Sequence, residues 1–120
     1  LVLTPEEWVR QHLVAYLVSH CGAQPGRIVA EYAVALNGQP QRADVVVVDD
    51  GGRPLLVAEC KAPGVPVNEK VLSQVVRYNS VLGARYLVLT NGRSHYCYEL
   101  VEGEYRQCDR FPSIGSGMGD

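Results

Sequence analysis

Two carboxylates and an amine are the residues of this chain whose types and spacing could do chemistry. Asp44 comes fifteen residues before Glu59, and Lys61 follows in an E-x-K pattern. The segment between the two acids is predicted to be a β-hairpin, because two apolar runs flank a turn at 49–52 that contains two glycines. The register of such a hairpin opposes these pairs: Val46 with Val57, Asp49 with Pro54, and Asp44 with Glu59.

Two carboxylates in directly opposed positions favour a divalent cation between them. Their Cβ atoms would lie about 4.5–5.5 Å apart, and like charges at that separation destabilise a sheet. Alternation along the strand places Glu59 and Lys61 on one side and Cys60 on the other, so the ammonium group joins the acids. The alternative is a surface cluster of ion pairs without a function. The flanking runs are apolar throughout, as in strands covered on both faces, and this favours the functional interpretation.

A second set of polar residues lies on the helix predicted to follow. Lys70, Gln74, Arg77 and Tyr78 form a stripe beside the apolar stripe, with Gln74 and Tyr78 four residues apart on one face. The helix follows the E-x-K strand after a short loop, so this stripe is expected to reach the carboxylates. The alternative for Gln74 and Tyr78 is solvent exposure with a partly buried aromatic ring.

Capping and turn signals predict the elements that position these residues. A capping box at 4–7 starts a helix over about 5–20, and Asn68 caps a second helix that runs to about Leu82. Strands are predicted at 28–36, 42–48, 54–60, 85–90 and 93–100, and 105–108 is a candidate short edge strand. The order α-β-β-β-α-β-β indicates an α/β fold, or α+β by a stricter definition, with a mixed central sheet of about five strands flanked by helices. The second helix is a crossover, so strands 54–60 and 85–90 should be parallel neighbours.

Composition limits the classes of protein that fit. A chain of 120 residues with 47% hydrophobic and 20% charged content suits one globular domain, expected over 1–110, with 111–120 as a linker or disordered tail. No apolar stretch reaches the roughly 20 residues of a membrane span, and a cytoplasmic location is expected. The net charge of −2 argues against nucleic-acid binding through bulk charge alone, so such binding needs a local basic stripe. The four cysteines lack C-x-x-C spacing and are expected to be buried thiols.

These residues resemble a known superfamily. Asp44, then Glu59-x-Lys61, with Gln74-x-x-x-Tyr78 on the next helix, is similar to the PD-(D/E)xK nucleases. The closer resemblance is to the nuclease domain at the N-terminus of type I restriction enzyme R subunits and its stand-alone relatives. It covers about residues 4–100 and includes the segments 56–63, 74–79 and 86–92. One departure is Ala43 where the superfamily has proline, a position that shapes only the backbone.

The resemblance implies a restriction-endonuclease-like fold and a Mg²⁺-dependent DNA endonuclease, with Mn²⁺ as a substitute metal. Asp44, Glu59 and the Cys60 backbone carbonyl would bind the metal, and Lys61 would orient the attacking water or stabilise charge on the phosphate. The third acid of the superfamily has two candidates, Glu31 and Glu7, and Glu31 is preferred because Glu7 is already explained as a capping residue. The remaining assignments are Gln74 and Tyr78 as catalytic-site residues, and Lys70, Arg77 and Arg93 as contacts to DNA phosphates.

The expected partners are DNA and a helicase or translocase motor domain or other restriction-modification subunits. The isolated domain is expected to cut weakly without such a motor or a second copy of itself, so a homodimer is also considered. Two alternatives stay open. One is a catalytically silent nuclease-fold module that binds nucleic acid or a partner protein, which the acidic composition favours. The other is a structural module whose charges form a buried ion network.

Overall fold

The computed structural model describes residues 3–115 and contains two α-helices and six strands. A single 3-10 turn, Pro25–Arg27, precedes the first strand. The elements in chain order are α1 (Pro5–Cys21), β1 (Ile28–Leu36), β2 (Gln39–Val48), β3 (Pro54–Cys60), α2 (Glu69–Leu82), β4 (Tyr86–Thr90), β5 (His95–Val101) and β6 (Glu104–Cys108). Within residues 3–115, neither helix has both the length and the apolar character needed to cross a membrane.

All six strands form one mixed sheet in the order β1-β2-β3-β4-β5-β6. Four of the five neighbouring pairs are antiparallel, and β3 and β4 are parallel, with Ala58 opposite Val88. The predicted crossover through α2 is therefore confirmed. The sheet has six strands rather than about five, because Glu104–Cys108 pairs with β5 along its whole length instead of adding only a short edge.

The two helices cover opposite faces of the sheet, and each face has its own core. Val9, Leu13 and Leu17 of α1 pack with Val45 and Leu56 on one face. Val71, Val75 and Tyr78 of α2 pack with Val46, Val57 and Leu87 on the other. Strands β3 and β4 are thus buried from both sides, which explains their continuous apolar runs.

The β2–β3 hairpin has the predicted register at its centre and a different one at its turn. Val46 faces Val57, but Val48, rather than Asp49, faces Pro54. The ladder shifts between Val47 and Val48, because the Asp49 carboxylate accepts hydrogen bonds from two amides of the turn. The predicted Asp49–Pro54 pair is therefore wrong, although the pairs nearer to the two acids are not displaced.

The alternation of faces breaks in β1 and β2 at one position. Ala43 and Val46 both belong to the core on the α2 face, although three residues apart in a regular strand point to opposite faces. The pairs Ala30–Val45 and Tyr32–Ala43 bracket the break, so Glu31 and Asp44 stand opposite each other there. Glu31 has a φ of 52°, in the left-handed region that non-glycine residues rarely adopt. Asp44 thus lies at the position where the alternation of side chains between the two faces of the sheet is broken in β1 and β2.

Both helices begin with side-chain caps. The Thr4 hydroxyl accepts the Glu7 N–H, and the Asn68 carbonyl oxygen accepts the Lys70 and Val71 N–H groups. The Glu7 carboxylate pairs with Arg10, three residues further along α1.

The chain after β6 returns to α1 over the residues that the structure describes. Ile114 is buried in the α1-side core, and its N–H donates to the Cys21 carbonyl at 2.7 Å. Residues 111–115 therefore pack on the domain, in contrast to the linker expected over 111–120. The remainder of that segment, 116–120, lies outside the described residues.

Candidate functional site

Asp44, Glu59, Cys60 and Lys61 come together just past the end of the ladder between β2 and β3, in the middle of β2 and at the end of β3. The last pair of the ladder is Val45–Ala58, and past it one carboxylate oxygen of Asp44 accepts the Cys60 N–H at 2.7 Å. The Asp44 side chain thus occupies the place of a backbone acceptor and lies against β3.

Glu59 is buried beside this bond, with only 6% of its surface exposed. Its Oε2 lies 3.5 Å from the Lys61 Nζ, so the two side chains share one side of β3 as predicted. Its Oε1 is buried and has no hydrogen-bond partner among the described residues. A buried polar atom without a partner is costly, so this oxygen is available to a ligand.

The two carboxylates affect each other's ionisation. Burial, followed by the charge of Asp44, raises the pKa of Glu59 to about 7. Burial also raises the pKa of Asp44, while the Cys60 N–H and the Lys61 charge oppose that increase. Raised pKa values in two adjacent buried acids are typical of a functional site.

The residues present fit a hard divalent cation. Mg²⁺ takes oxygen ligands and is usually held by one or two carboxylates, with water and substrate supplying the rest. Asp44 and Glu59 provide that number, and Glu59 Oε1 is buried with no hydrogen-bond partner within residues 3–115. Within residues 3–115, no three His, Cys, Asp or Glu side chains form a group that could hold a metal by itself. A metal bound here would therefore need water or substrate oxygens.

A cleft of about 280 Å³ opens on the α1 side of Asp44. Asp44 and Cys60 line this cleft together with polar and charged residues. The surrounding side chains are those of Thr4, Glu6, Glu7, Arg10, Glu31 and Arg42.

Glu31, the preferred third acid, is engaged elsewhere in this cleft. Its side chain is 54% exposed and pairs with Arg42 at 3.2 Å and with Arg10 at 3.7 Å. Glu6 is the acid that sequence reasoning missed, because its charge acts on both carboxylates and raises the pKa of each. Glu6 and Glu7 look alike in the capping sequence, and only the helix geometry shows that Glu7 pairs with Arg10 while Glu6 influences the site.

The predicted α2 residues do not all lie in one polar stripe. Gln74 donates to the Tyr78 hydroxyl at 2.9 Å, which joins the predicted pair. Tyr78 is only 5% exposed and belongs to the core, so its predicted place in a polar stripe is wrong. Lys70, Gln74 and Arg77 line a shallow surface depression together with Glu69 and Ser73.

Arg93 lies in the turn between β4 and β5 and is exposed. Its backbone N–H donates to the Asn91 carbonyl oxygen at 2.9 Å. The same Asn91 side chain donates to the Val65 carbonyl, in the loop that follows Lys61. The β4–β5 turn therefore supports the loop that leaves the E-x-K strand, a link that the sequence did not indicate.

The sequence matches a family model over residues 5–113, the model of the type I restriction enzyme R protein N terminus (HSDR_N). The chain belongs to this family. Among proteins with curated functions, none matches the chain.

Three solved structures share the fold of this HSDR_N family member. A fragment of a proposed HsdR subunit of a type I restriction enzyme from Vibrio vulnificus has a TM-score of 0.70 and 22% identity over 92% of this chain. A proposed nuclease of DUF820 from Anabaena variabilis has a TM-score of 0.58 and 14% identity, and the alignment covers 92% of this chain and 70% of that protein. The type IIG restriction endonuclease BpuSI has a TM-score of 0.50 and 18% identity over 97% of this chain, but only 14% of its own. The chain spans 24% of the Vibrio fragment.

Proposed function

We propose that this domain is a Mg²⁺-dependent DNA endonuclease domain of the type I restriction R-subunit kind, with Mn²⁺ as a substitute metal. The observation that carries the proposal is the buried Glu59 carboxylate with one unpartnered oxygen, placed beside Asp44 and Lys61. A buried acid of this kind is retained at a cost to stability, and a function that requires it explains its presence. Family membership supports the same conclusion.

Asp44 and Glu59 would hold the cation, with the Cys60 carbonyl as a third oxygen. The Cys60 N–H binds one oxygen of Asp44, and the other oxygen would bind the cation. When bound, the cation would polarise the scissile phosphate and lower the pKa of an attacking water. Lys61 would orient that water or neutralise charge on the phosphate, since its ammonium group already lies on the Glu59 side of the strand.

Residues of α2 would contact the DNA backbone beside the metal. Lys70 and Arg77 flank Gln74 on the exposed side of the helix and would bind neighbouring phosphates. Tyr78 would act through Gln74, because the ring is buried and its hydroxyl accepts the Gln74 amide. Arg93 would make a more distant phosphate contact from the β4–β5 turn.

Glu6 replaces Glu31 as the proposed third acid. It lines the cleft beside Asp44, whereas Glu31 is paired with two arginines. It lies in the first turn of α1 and would bind a water at the cleft.

A melting experiment with metal tests the site directly. Mg²⁺ or Mn²⁺ at about a hundred times its Kd should raise the melting temperature of the wild type by roughly 5–10 °C. Asp44→Asn keeps an acceptor for the Cys60 N–H but loses the charge, so its melting temperature should not respond. Glu104→Gln, an exposed carboxylate on β6, is the matched control and should respond like the wild type. Equal responses in all three proteins would contradict the site.

Cleavage of plasmid DNA tests the chemistry. Lys61→Ala should abolish cleavage while the metal-dependent rise in melting temperature is retained. We expect the domain to need a motor domain, other restriction-modification subunits or a second copy for full activity, so the assay belongs in the assembled complex as well as with the isolated domain.

A catalytically silent module that binds DNA or a partner protein is the second candidate. The net charge of −2 and the lack of a three-residue metal group within residues 3–115 favour it. Metal binding and DNA binding without cleavage in the assembled complex would establish this alternative.

A further inference from the structure

Two free cysteines lie opposite each other on the last two strands of the sheet. Neither belongs to the proposed metal site. Cys97 on β5 is paired with Cys108 on β6 in the antiparallel ladder. Both are reduced thiols in this structure. Neither has a part in the proposed nuclease chemistry, so the pair needs its own account.

The geometry of an opposed antiparallel pair suits a disulfide. Cα atoms of directly opposed residues lie about 4.5–5.5 Å apart, and disulfides are found at Cα separations of about 4.4–6.8 Å. The side chains of a directly opposed pair lie on the same face of the sheet, so the two thiols are neighbours. The backbone positions of the pair are therefore compatible with a disulfide.

The pair is also accessible from one side. Both cysteines line a cavity of about 530 Å³ between α1 and the segment that follows β6. Cys97 is buried, whereas Cys108 is partly exposed. A small reagent that enters this cavity therefore meets Cys108 first, with Cys97 directly behind it. Cys21 and Cys60 are both buried and lie outside the lining of the cavity.

We propose that Cys97 and Cys108 form a redox-sensitive modification site that closes to a cross-strand disulfide on reaction with a hydroperoxide. Each sulfur gives up one electron and one proton in the overall reaction. The Cys108 thiol is first oxidised to a sulfenic acid, as the O–O bond of the peroxide breaks and one water or alcohol leaves. The Cys97 sulfur then displaces the hydroxyl group of the sulfenic acid, its proton leaves with that group as water, and the S–S bond forms.

The disulfide would link the edge strand β6 covalently to β5. Strand β6 has β5 as its one neighbour in the sheet, and the segment after it packs on the end of α1 through Ile114. A bond at Cys108 lies between these two attachments. Oxidation should therefore slow the opening of β6 and of residues 109–115 together, while β2 and β3 stay unchanged.

Intact-mass analysis of the full chain after treatment with hydrogen peroxide tests the proposal. The wild type should lose the mass of two hydrogen atoms, and digestion without reductant should yield one peptide pair that joins Cys97 to Cys108. Dithiothreitol should restore the original mass. Cys108→Ser, at a partly exposed position, and Cys97→Ser should both prevent the link, whereas Cys21→Ser and Cys60→Ser should form it as the wild type does.

Hydrogen exchange provides an independent readout. Amides of β6 should exchange at least several-fold more slowly in the oxidised wild type, and the difference should vanish in Cys108→Ser even if Cys97→Ser fails to fold. A link to Cys21, a disulfide between two chains, or addition of oxygen to Cys108 without a link would overturn the proposal. Asp44→Asn should oxidise like the wild type, so this inference stands or fails independently of the proposed nuclease function.

Discussion

Glu59 is a carboxyl group that the fold holds in an unfavourable setting. One oxygen faces an ammonium group at 3.5 Å, and the other is buried with no hydrogen-bond partner in the part of the chain that the structure describes. Burial, and then the charge of Asp44, raise the pKa of Glu59 to about 7. The same arrangement that destabilises the metal-free domain would favour a bound cation, because the cation would offset the burial and mutual repulsion of the two acids.

The raised pKa of Glu59 predicts a specific dependence of stability on pH. The folded state keeps its proton up to about pH 7, whereas the unfolded chain releases it near pH 4.5, the ordinary range for Glu. Between these values the folded state binds more protons, so the free energy of unfolding should fall as pH rises through this window and then level off. The loss should be about 3 kcal/mol without metal. Urea unfolding in EDTA across pH 4–8 measures it.

Glu59→Gln should remove most of that decline, because glutamine carries no titrating proton. It should also be more stable than the wild type above pH 7 in EDTA. Glu104→Gln removes an exposed acid and should keep the wild-type profile. Identical pH profiles for wild type and Glu59→Gln would show that Glu59 is ionised at its ordinary pKa and that the account of the site is wrong.

At the residue level, the spacing of residues along the sequence was sufficient to predict which site residues lie next to one another. The E-x-K pattern placed Glu59 and Lys61 on one side of a strand, and the glycine-containing turn brought Asp44 next to them. It could not predict which acid of α1 faces the site, because that depends on how the helix rotates against the sheet. It also misplaced Tyr78, since an aromatic residue at the border of two helical stripes can be buried or exposed without any change in spacing.

At the level of elements, the capping and turn signals were sufficient for both helices and the parallel β3–β4 pair. The change of faces at Glu31 and Asp44 had no signal, because a non-glycine residue with a positive φ is not recognisable in the sequence. That break is what allows Asp44 to lie against β3 beside a cleft instead of continuing a regular strand. The functional geometry therefore depends on the irregularity that was hardest to predict.

The segment after β6 packs closely against the end of α1. A Cβ atom added at Gly115 would lie 2.9 Å from the Gly22 carbonyl oxygen, a backbone atom that cannot move aside. Gly115→Ala should therefore lower the free energy of unfolding by about 1–3 kcal/mol, as overpacking does in a close contact. Urea unfolding followed through the fluorescence of Trp8, the single tryptophan, measures the change.

Gly64→Ala is the matched substitution, because an added Cβ there has no neighbour within 4 Å. Its stability should change by less than about 1 kcal/mol. If both variants were equally stable, residues 111–115 would not pack on the end of α1, and the linker originally expected from the sequence would begin at 111 after all.

The whole molecule carries a net charge of −2, so its proposed binding to DNA cannot rest on bulk electrostatics. The basic residues available on α2 are Lys70 and Arg77, which flank the depression beside Gln74. Each substitution to alanine should weaken binding to duplex DNA of any sequence and reduce the slope of log Kd against log salt by about 1. Fluorescence anisotropy in EDTA, which prevents cleavage, measures both quantities.

Arg106→Ala, on the edge strand β6, is the control and should leave the salt dependence unchanged. An equal effect of Arg106→Ala would mean that DNA binds through general charge rather than across α2. Unchanged slopes for Lys70→Ala and Arg77→Ala would place the DNA on another surface.

The central claim is that Asp44 and Glu59 jointly hold a hard divalent cation. Anomalous scattering from a crystal soaked in Mn²⁺ tests it most directly, because the peak locates the metal without reliance on activity. One strong peak is expected within coordination distance, about 2.0–2.3 Å, of a carboxylate oxygen from each residue, with no such peak in Asp44→Asn. A Mn²⁺ peak elsewhere, or none beside Asp44 at saturating metal, would contradict it.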